Sequence, residues 1–297
     1  GTGERGGSFA HTKGLWQEFG PERLIDTPIC ELGFTGAAAG AAASGCRAVA
    51  DVMFADFMFE AASQLIEQAA KLRYMSNGQT SVPMIVRAAW GTIKNTGPHH
   101  SGSYHPIWAH CPGLIVVIPS NPADAKGLLK AAIRDRNPVL VLENEMLYGT
   151  SGSVPKGDDW IVPIGKARIA RPGSHVTIVS FARGMQYALA AADTLAKEGI
   201  EAEVIDLRSL RPLDTATVVA SVKRTNRLVT VEEGWPVAGI GAELTAVMME
   251  QAFDWLDAPV VRVTGADVPM PYAANLERLA LPSTEHVLAA VKSVLYL

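Results

Sequence analysis

The chain has 297 residues, of which 48% are hydrophobic and 19% charged, and its formal net charge is −4 at pH 7. This length suits about two domains, while the charge and the lack of a Lys/Arg block argue against nucleic acid as a main partner. Three cysteines indicate a reducing compartment rather than a disulfide framework, and the longest apolar stretch, residues 34–46, is too short for a membrane span.

Strand and helix signals alternate along the first half of the chain. A short apolar run at residues 24–26 predicts a strand that ends at Thr27, because Pro28 disfavours helix in the residue before it. The Gly/Ala-rich segment 33–45 predicts a helix that packs closely against a sheet or a flat ligand. Further strands are predicted at residues 48–54, 82–86, 114–118 and 139–142, and helices at residues 58–74 and 120–133. This order is typical of a mostly parallel sheet covered by helices.

Residues 149–160 interrupt this alternation with Gly, Ser, Pro and charged residues, which predicts a linker. A second alternation follows it. Its strands are predicted at residues 176–181, 202–206, 227–232 and 259–263, and its helices at residues 184–198, 214–223, 239–252 and 284–294. We therefore predict an α/β protein of two doubly wound domains, residues 1–148 and 164–297, joined by a linker at residues 149–163.

Glu31 and Phe57 both follow predicted strands, at the edge of the sheet where open α/β folds bind ligands. A carboxylate at the start of a helix often serves only the helix dipole. The apolar neighbours of Glu31, among them Leu32, favour another interpretation. In that interpretation the carboxyl group shares a proton with a nitrogen atom of a heterocycle.

Histidines are concentrated in one polar loop. They are His99, His100, His105 and His110, with Cys111 next to the last. Clustered His and Cys side chains can bind zinc, but no carboxylate in this segment offers a further ligand and the spacing is not helical. We favour proton transfer by one histidine of the loop, the others being hydrogen-bonded loop or core residues.

Two further patterns have simpler explanations. Gly239-Ile240-Gly241 opens a predicted helix, as a dinucleotide fingerprint does, but Leu244 stands at the third glycine position. We interpret it as a tight turn from strand to helix. The chain also lacks the Gly-x-Ser-x-Gly nucleophile elbow, so it offers no hydrolase nucleophile.

Several collinear segments are similar to one family. The chain resembles, over nearly its whole length, the β-subunit of the thiamine-diphosphate-dependent decarboxylase component of 2-oxo acid dehydrogenase complexes, within the transketolase-like superfamily. The matching segments are TKGL (12–15), DTPICELGFTGAAAGAA (26–42), AAKLRYMSNGQ (69–79), HHSGSYHPIWAHCPGL (99–114), PSNPADAKGLLKAAIRDRNPVLVLENEMLYG (119–149), EVIDLRSLRPLD (203–214) and VRVTGADVPMPYA (261–273). The block from EEGWP (232–236) onward is most similar to the pyruvate enzymes.

The resemblance implies a pyrimidine-binding domain followed by a transketolase C-terminal-like domain. It also implies thiamine-dependent oxidative decarboxylation of a 2-oxo acid, in the first place pyruvate, with acyl transfer to lipoamide. A β-subunit acting on acetoin or on a branched-chain 2-oxo acid is an alternative, as is a split transketolase acting on a sugar phosphate. A non-catalytic scaffold subunit is the alternative from another class.

The resemblance also assigns roles to residues. Glu31 matches the glutamate that bonds the N1′ atom of the cofactor's aminopyrimidine, and Phe57 matches the aromatic residue that stacks on this ring. Leu32 and Glu60 are expected in the same pocket, where Glu60 replaces the glutamine common in pyruvate enzymes. His100 matches the histidine that transfers a proton during reductive acylation. A structural potassium site is expected at Met84, Ala132, Ile133, Asp135 and Asn137.

Thiamine-diphosphate enzymes hold Mg²⁺ and the diphosphate through a Gly-Asp-Gly motif, and the linker sequence Gly157-Asp158-Asp159 does not match it. A dianion needs such a metal site. We therefore expect an α-subunit to supply this half of the site in an α₂β₂ heterotetramer. The resemblance further implies docking of the C-terminal domain onto a dihydrolipoyl acyltransferase core with its lipoyl domain. It implies the cytoplasm in a bacterium, or the mitochondrial matrix in a eukaryote.

Overall fold

The structure is a computed structural model that describes residues 3–297. The helices are α1 (Leu15–Phe19), α2 (Glu31–Ala43), α3 (Ala70–Met75), α4 (His105–His110), α5 (Pro122–Arg134), α6 (Gly184–Lys197), α7 (Thr215–Thr225), α8 (Ile240–Gln251), α9 (Ala274–Ala280) and α10 (Thr284–Leu295). The strands are β1 (Ala48–Val52), β2 (Met84–Trp90), β3 (Ile115–Val117), β4 (Val139–Asn144), β5 (Arg168–Arg171), β6 (Val176–Ser180), β7 (Ala202–Asp206), β8 (Ser209–Arg211), β9 (Leu228–Val231) and β10 (Val261–Val263).

These strands form two five-stranded sheets. The first has the order β1-β2-β4-β3-β8 and the second the order β10-β9-β6-β7-β5. Each sheet has four parallel strands and one antiparallel edge strand. The central strands are buried continuous runs such as Val139–Leu142, as expected for parallel sheets covered on both faces. The two-domain α/β architecture predicted from the sequence is confirmed.

The first sheet includes one strand from the second half of the chain. Strand β8 pairs antiparallel with β3, with Val116 opposite Arg211. Hydrophobic side chains of both halves, such as Leu142 and Leu244, also belong to one buried cluster. The two halves are therefore joined by backbone hydrogen bonds and by a common core, so their junction is a fixed part of the molecule.

Helix α2 packs against β1 and against the helical segment that follows it. The close approach depends on small side chains, because Ala39 and Ala42 are buried and a Cβ atom at Gly36 would lie 3.3 Å from the Gln64 side chain. The helix predicted at residues 58–74 is present as a 3₁₀ turn (Ala55–Ala61), a π-helical segment (Ser63–Ala69) and α3.

The strand predicted at residues 24–26 is wrong. Residues 25–28 are irregular and exposed, and the sheet begins with β1 instead. Three apolar residues followed by Pro28 have no neighbouring strand with which to form a ladder. Strands β5 and β8 were not predicted, because antiparallel edge strands of three or four residues leave little hydrophobic pattern. No helix within residues 3–297 combines the length and apolar character that crossing a membrane requires.

Candidate functional site

The candidate site lies where β1 and β2 end. The 3₁₀ turn Ala55–Ala61 follows β1 and carries Phe57, while the polar loop after β2 carries His100. Helix α2, which begins at Glu31, packs against both β1 and this turn. The parallel strands thus bring three segments that are distant in sequence to one edge of the sheet.

Phe57 and His100 are in direct contact. Their ring centroids are 5.4 Å apart and the ring planes are nearly perpendicular, at 89°. Phe54 completes the group, with its centroid 4.6 Å from that of His100. An aromatic edge facing a ring is a favourable arrangement that restricts the rotation of each side chain. The half-buried Phe57 and His100 therefore form one ordered aromatic surface.

Glu31 is the first residue of α2, and only 7% of it is exposed. Within residues 3–297 its carboxylate receives no hydrogen bond and forms no ion pair. Its neighbours are unusually exposed for apolar residues, at 74% for Ile29 and 48% for Leu32. A buried carboxylate next to exposed apolar side chains is typical of a surface that another molecule covers.

Glu60 lies at the end of the same 3₁₀ turn, and its side chain is exposed. The neighbouring Phe59 is also exposed, at 41%. Its ring contacts Tyr104, with 4.9 Å between centroids, and the buried Trp108. In this chain Glu60 is thus a solvent-facing carboxylate on the same turn as Phe57.

Asp56 connects the Phe57 turn to the His100 loop. Its carboxylate accepts a hydrogen bond from the N–H of Gly102 at 3.0 Å. Burial raises the pKa of Asp56 to about 6, because the charged form loses hydration. The carboxylate therefore fixes the distance between the two segments that carry Phe57 and His100.

Glu145 follows β4 and has a stronger shift. Burial, together with the nearby carboxylates of Asp56 and Glu233, raises the pKa of Glu145 to about 8. Neither of its carboxylate oxygens has a hydrogen-bond partner within the described part of the chain. Burial also raises the pKa of Glu233 to about 6, although Asn144 donates to it at 2.5 Å. Glu145 is consequently protonated over much of the neutral pH range.

The four clustered histidines have different surroundings. His99 and His110 are exposed, and His100 belongs to the aromatic group. His105 is completely buried, where its Nε2–H donates to Glu232 Oε2 at 3.0 Å. Between residues 3 and 297 no group of three or more His, Cys, Asp or Glu side chains is placed to hold a metal ion.

Three of the residues expected to bind potassium already have a cationic partner. The guanidinium of Arg47 donates to the carbonyl oxygens of Ile133 at 2.5 Å and Asp135 at 2.8 Å. The Asn137 side chain accepts from Arg73 at 2.7 Å and donates to the Asp135 carboxylate at 2.8 Å. A potassium ion at the Ile133 and Asp135 carbonyl oxygens would have to displace the Arg47 guanidinium, so the predicted site stays a prediction.

The site contains residues that sequence reasoning missed. Phe54 and Asp56 adjoin Phe57, and a strand that ends in two phenylalanines around an aspartate was a usable signal. Glu145 directly follows β4 and Glu233 lies two residues after the end of β9, which is where α/β folds place polar functional groups. The partnership of Arg47 with residues 133 and 135 had no sequence signal, since it depends on contacts more than 80 positions apart.

Comparison with known proteins places this geometry in a family. The model of the transketolase pyrimidine binding domain matches residues 2–150, and that of the transketolase C-terminal domain matches residues 165–287. A solved structure described as a split gene transketolase, inactive beta4 tetramer, has a TM-score of 0.79 at 27% identity, over 98% of this chain and 89% of that one.

Relatives from distant organisms are much closer in sequence. The chain is 53% identical over 290 residues to the pyruvate dehydrogenase E1 component subunit beta of Rhizobium meliloti, and spans 98% of itself and 63% of that protein. It is 52% identical to the mitochondrial subunit beta-2 of Oryza sativa subsp. japonica, covering 99% of this chain and 79% of the relative. It is 49% identical to the mitochondrial subunit beta of Homo sapiens, covering 97% of this chain and 82% of the relative.

Two transketolase-type domains in the same order, and identities near 50% over almost the whole chain, agree with the fold and with the resemblance of the sequence segments. The match extends across both sheets rather than to one motif. The chain therefore belongs to the β-subunit family of the pyruvate dehydrogenase E1 component.

Proposed function

We propose that this chain forms the pyrimidine-binding half of a thiamine diphosphate site in an enzyme that decarboxylates pyruvate. The observation that carries the proposal is Glu31, a buried residue whose carboxylate has no partner among residues 3–297, at the start of the helix that packs against the turn carrying Phe57. An aminopyrimidine offers both the ring nitrogen that such a carboxyl group can bond and a flat face for an aromatic ring.

The bound cofactor supplies a carbanion and an electron sink, which the side chains of a protein lack. The part of this chain is to position it and to move protons. Glu31 bonds the N1′ atom of the pyrimidine, and Phe57 packs against the ring. Leu32 lines the same pocket, and Glu60 at its open side replaces the glutamine expected there.

His100 serves the second half of the reaction in this proposal. Pyruvate, oxidised lipoamide and a proton give S-acetyldihydrolipoamide and CO₂, so one lipoyl sulfur takes the acetyl group and the other takes a proton. An imidazole titrates near neutral pH and can deliver that proton. The perpendicular contacts with Phe54 and Phe57 restrict the rotation of the His100 ring.

The other half of the cofactor site belongs to a partner in this proposal. A diphosphate with Mg²⁺ requires oxygen ligands, and the described residues hold no group suited to a metal ion. The exposed Ile29 and Leu32 next to Glu31 provide an apolar surface for an α-subunit. We infer an α₂β₂ heterotetramer that docks onto a dihydrolipoyl acyltransferase core.

Location and potassium binding belong to the same proposal. We infer the cytoplasm for a bacterial host and the mitochondrial matrix for a eukaryotic one. A potassium ion at the Ile133 and Asp135 carbonyls requires Arg47 to release both oxygens, so it stays a prediction.

The test is an assay of the complex with an α-subunit. Initial rates over pyruvate, branched-chain 2-oxo acids, acetoin and a sugar phosphate are measured with thiamine diphosphate, Mg²⁺ and a lipoyl domain. We expect pyruvate to have the highest kcat/KM. A higher kcat/KM for acetoin or a branched-chain 2-oxo acid would identify that compound as the substrate. Turnover of the sugar phosphate alone would refute the proposed dehydrogenase activity.

A further inference from the structure

The loop that carries His100 crosses the junction between the two domains. It runs from the end of β2 to the start of α4, so both of its neighbours in sequence belong to the N-terminal domain. Its polar contacts, however, extend to the C-terminal domain on both sides of His100. These contacts are made by Asn95 and by His105.

Asn95 makes the first contact. Its backbone N–H donates to Glu277 Oε2 at 2.8 Å, and its side-chain amide donates to the carbonyl oxygen of Tyr272 at 2.7 Å. Glu277 lies in α9 and is only 8% exposed. Gly97 adds steric fit, because a Cβ atom there would lie 2.1 Å from the Tyr272 ring. The loop is thus fixed to α9 and to the segment before it.

His105 makes the second contact. Its Nε2–H donates to Glu232, and the side chains of both residues are at most 2% exposed. Glu232 also accepts hydrogen bonds from the N–H groups of Ile240 at 3.2 Å and Gly241 at 2.8 Å, in the first turn of α8. A carboxylate held by a helix N-terminus is a rigid acceptor, so His105 is bound to a fixed point of the C-terminal domain.

The segment between the two contacts is held to the N-terminal domain. Asp56, in the turn after β1, accepts the Gly102 N–H, and within the loop the hydroxyl groups of Thr96 and Ser101 are 2.8 Å apart. His100 therefore lies in a short loop whose ends are fixed by one domain and whose middle is fixed beside Phe57 by the other. The position of its ring depends on both domains together.

We propose that the C-terminal domain positions His100 for acyl transfer, with Glu277 and Glu232 as positioning residues that act through Asn95 and His105. The proposal rests on the proposed function, in which His100 serves the lipoyl half-reaction. It gives the smaller domain a part in the chemistry although that domain touches no reacting atom. A displacement of about 1 Å at a reacting group can cost about 100-fold in rate.

The experiment uses the complete complex with the α-subunit and compares four variants. Glu277→Ala removes the acceptor for the Asn95 N–H, whereas Glu277→Gln keeps an oxygen there. His105→Phe keeps an aromatic ring but removes the donor to Glu232. His110→Gln is the matched control, because His110 lies on the same helix and is exposed. All four keep Glu31, Phe57 and His100 unchanged.

Three quantities are measured: hydrogen exchange of residues 92–104, acetyl transfer to a lipoyl domain, and decarboxylation with ferricyanide as the electron acceptor. For Glu277→Ala and His105→Phe we expect faster exchange and a 10- to 100-fold loss of acetyl transfer, with decarboxylation within about threefold of the wild type. Glu277→Gln and His110→Gln should resemble the wild type in all three quantities.

The proposal is overturned by unchanged exchange and acetyl transfer in the first two variants. It is equally overturned by an equal loss in both half-reactions, since that indicates a merely structural role. If His105→Phe does not fold, the comparison of Glu277→Ala with Glu277→Gln tests the proposal by itself. If the wild-type complex turns over no 2-oxo acid, the proposed function fails, while the hydrogen exchange still shows whether the C-terminal domain orders the loop.

Discussion

Glu31 and Glu232 are both buried glutamates, yet their surroundings differ. Glu31 is the first residue of α2, whereas Glu232 follows β9 and its carboxylate binds the first turn of α8. Glu232 accepts three hydrogen bonds, from two backbone N–H groups and from His105. The Glu31 carboxylate accepts no hydrogen bond from residues 3–297, and its apolar neighbours Ile29 and Leu32 are exposed. The Glu232 carboxylate is therefore hydrogen-bonded within this chain, whereas the Glu31 carboxylate is available to bind a donor from another molecule.

The largest effect should come from changing Glu31, since this removes the carboxylate that we propose to bond the cofactor. In the complex with the α-subunit, Glu31→Gln should lower kcat for decarboxylation by about 10² to 10⁴-fold, the usual contribution of a positioned acid or base. Assembly and the unfolding midpoint should stay close to those of the wild type. Steady-state kinetics and size-exclusion chromatography provide the measurements.

Glu67→Gln is the matched control, because Glu67 is exposed and forms an ion pair with Lys71 one helical turn away. It should retain full activity. Glu232→Gln should act differently from both, by lowering the free energy of unfolding by about 1.5 to 3 kcal/mol through weaker charge-assisted hydrogen bonds. Near-normal decarboxylation by Glu31→Gln in a correctly assembled complex would end the proposed role of Glu31.

Cofactor affinity should show the next largest effect. The isolated chain should bind thiamine diphosphate with Mg²⁺ at least about 100-fold more weakly than the α/β complex, equivalent to about 2.7 kcal/mol, because this chain provides only the pyrimidine side. Isothermal titration calorimetry of both preparations under identical salt and Mg²⁺ conditions tests this. Equal affinities would show that this chain holds the diphosphate by itself.

The contrast between the two carboxylates also shows what sequence patterns could reveal. Glu31 was found because it follows a proline-terminated segment and opens a Gly/Ala-rich helix, which are local features. Strands β6 and β7, and helices such as α10, were predicted nearly to the residue because their hydrophobic periods are strong. The domain boundaries at residues 148 and 164, and the roles of the site residues, stay predictions.

Long-range polar partners were beyond sequence reasoning. His105 and Glu232 are separated by 127 positions, and Asn95 and Glu277 by 182. No period or motif relates such pairs, since they meet only after two sheets have packed against each other. The cluster of histidines was visible in the sequence, but which of them is buried and which faces the aromatic group depended on the fold.

Glu145 offers a smaller, pH-dependent test of burial without partners. Its pKa rises from 4.5 to about 8 on folding, so the native state binds more protons than the unfolded state between these values. Stability from this group is complete below pH 4.5 and is lost as the pH rises toward 8. Glu145→Gln should therefore flatten the decline between pH 5 and pH 8 by about 1 to 3 kcal/mol.

Urea unfolding at pH 5, 6.5 and 8 measures this dependence. Glu243→Gln is the matched control, since Glu243 is an exposed glutamate of α8 and its replacement should leave the pH profile unchanged. Asp56 and Glu233, whose pKa values also rise to about 6, contribute a residual slope mainly below pH 6. A wild-type stability that increases from pH 5 to pH 8 would contradict the protonated state of Glu145.

The smallest effect should be found at Arg47, which distinguishes a partner within the chain from a partner supplied by solution. In the wild type, replacing KCl by choline chloride at equal ionic strength should leave the free energy of unfolding unchanged. The reason is that the Arg47 guanidinium already donates hydrogen bonds to the carbonyl oxygens of Ile133 and Asp135. Arg47→Ala should cost about 0.5 to 1.5 kcal/mol and make stability depend on potassium. At a potassium concentration equal to its Kd the recovered stability is about 0.4 kcal/mol.

Arg134→Ala is the control for this pair of measurements, because Arg134 is also exposed but, among residues 3–297, donates only to the Lys130 carbonyl oxygen of its own helix. It should show no response to potassium. A wild type stabilised by potassium as strongly as Arg47→Ala, with sodium ineffective in both, would mean that the ion displaces the guanidinium. In that case the carbonyl oxygens of residues 133 and 135 would resemble Glu31, because their partner would come from outside the chain. They would differ from Glu232, whose hydrogen-bond donors all lie within it.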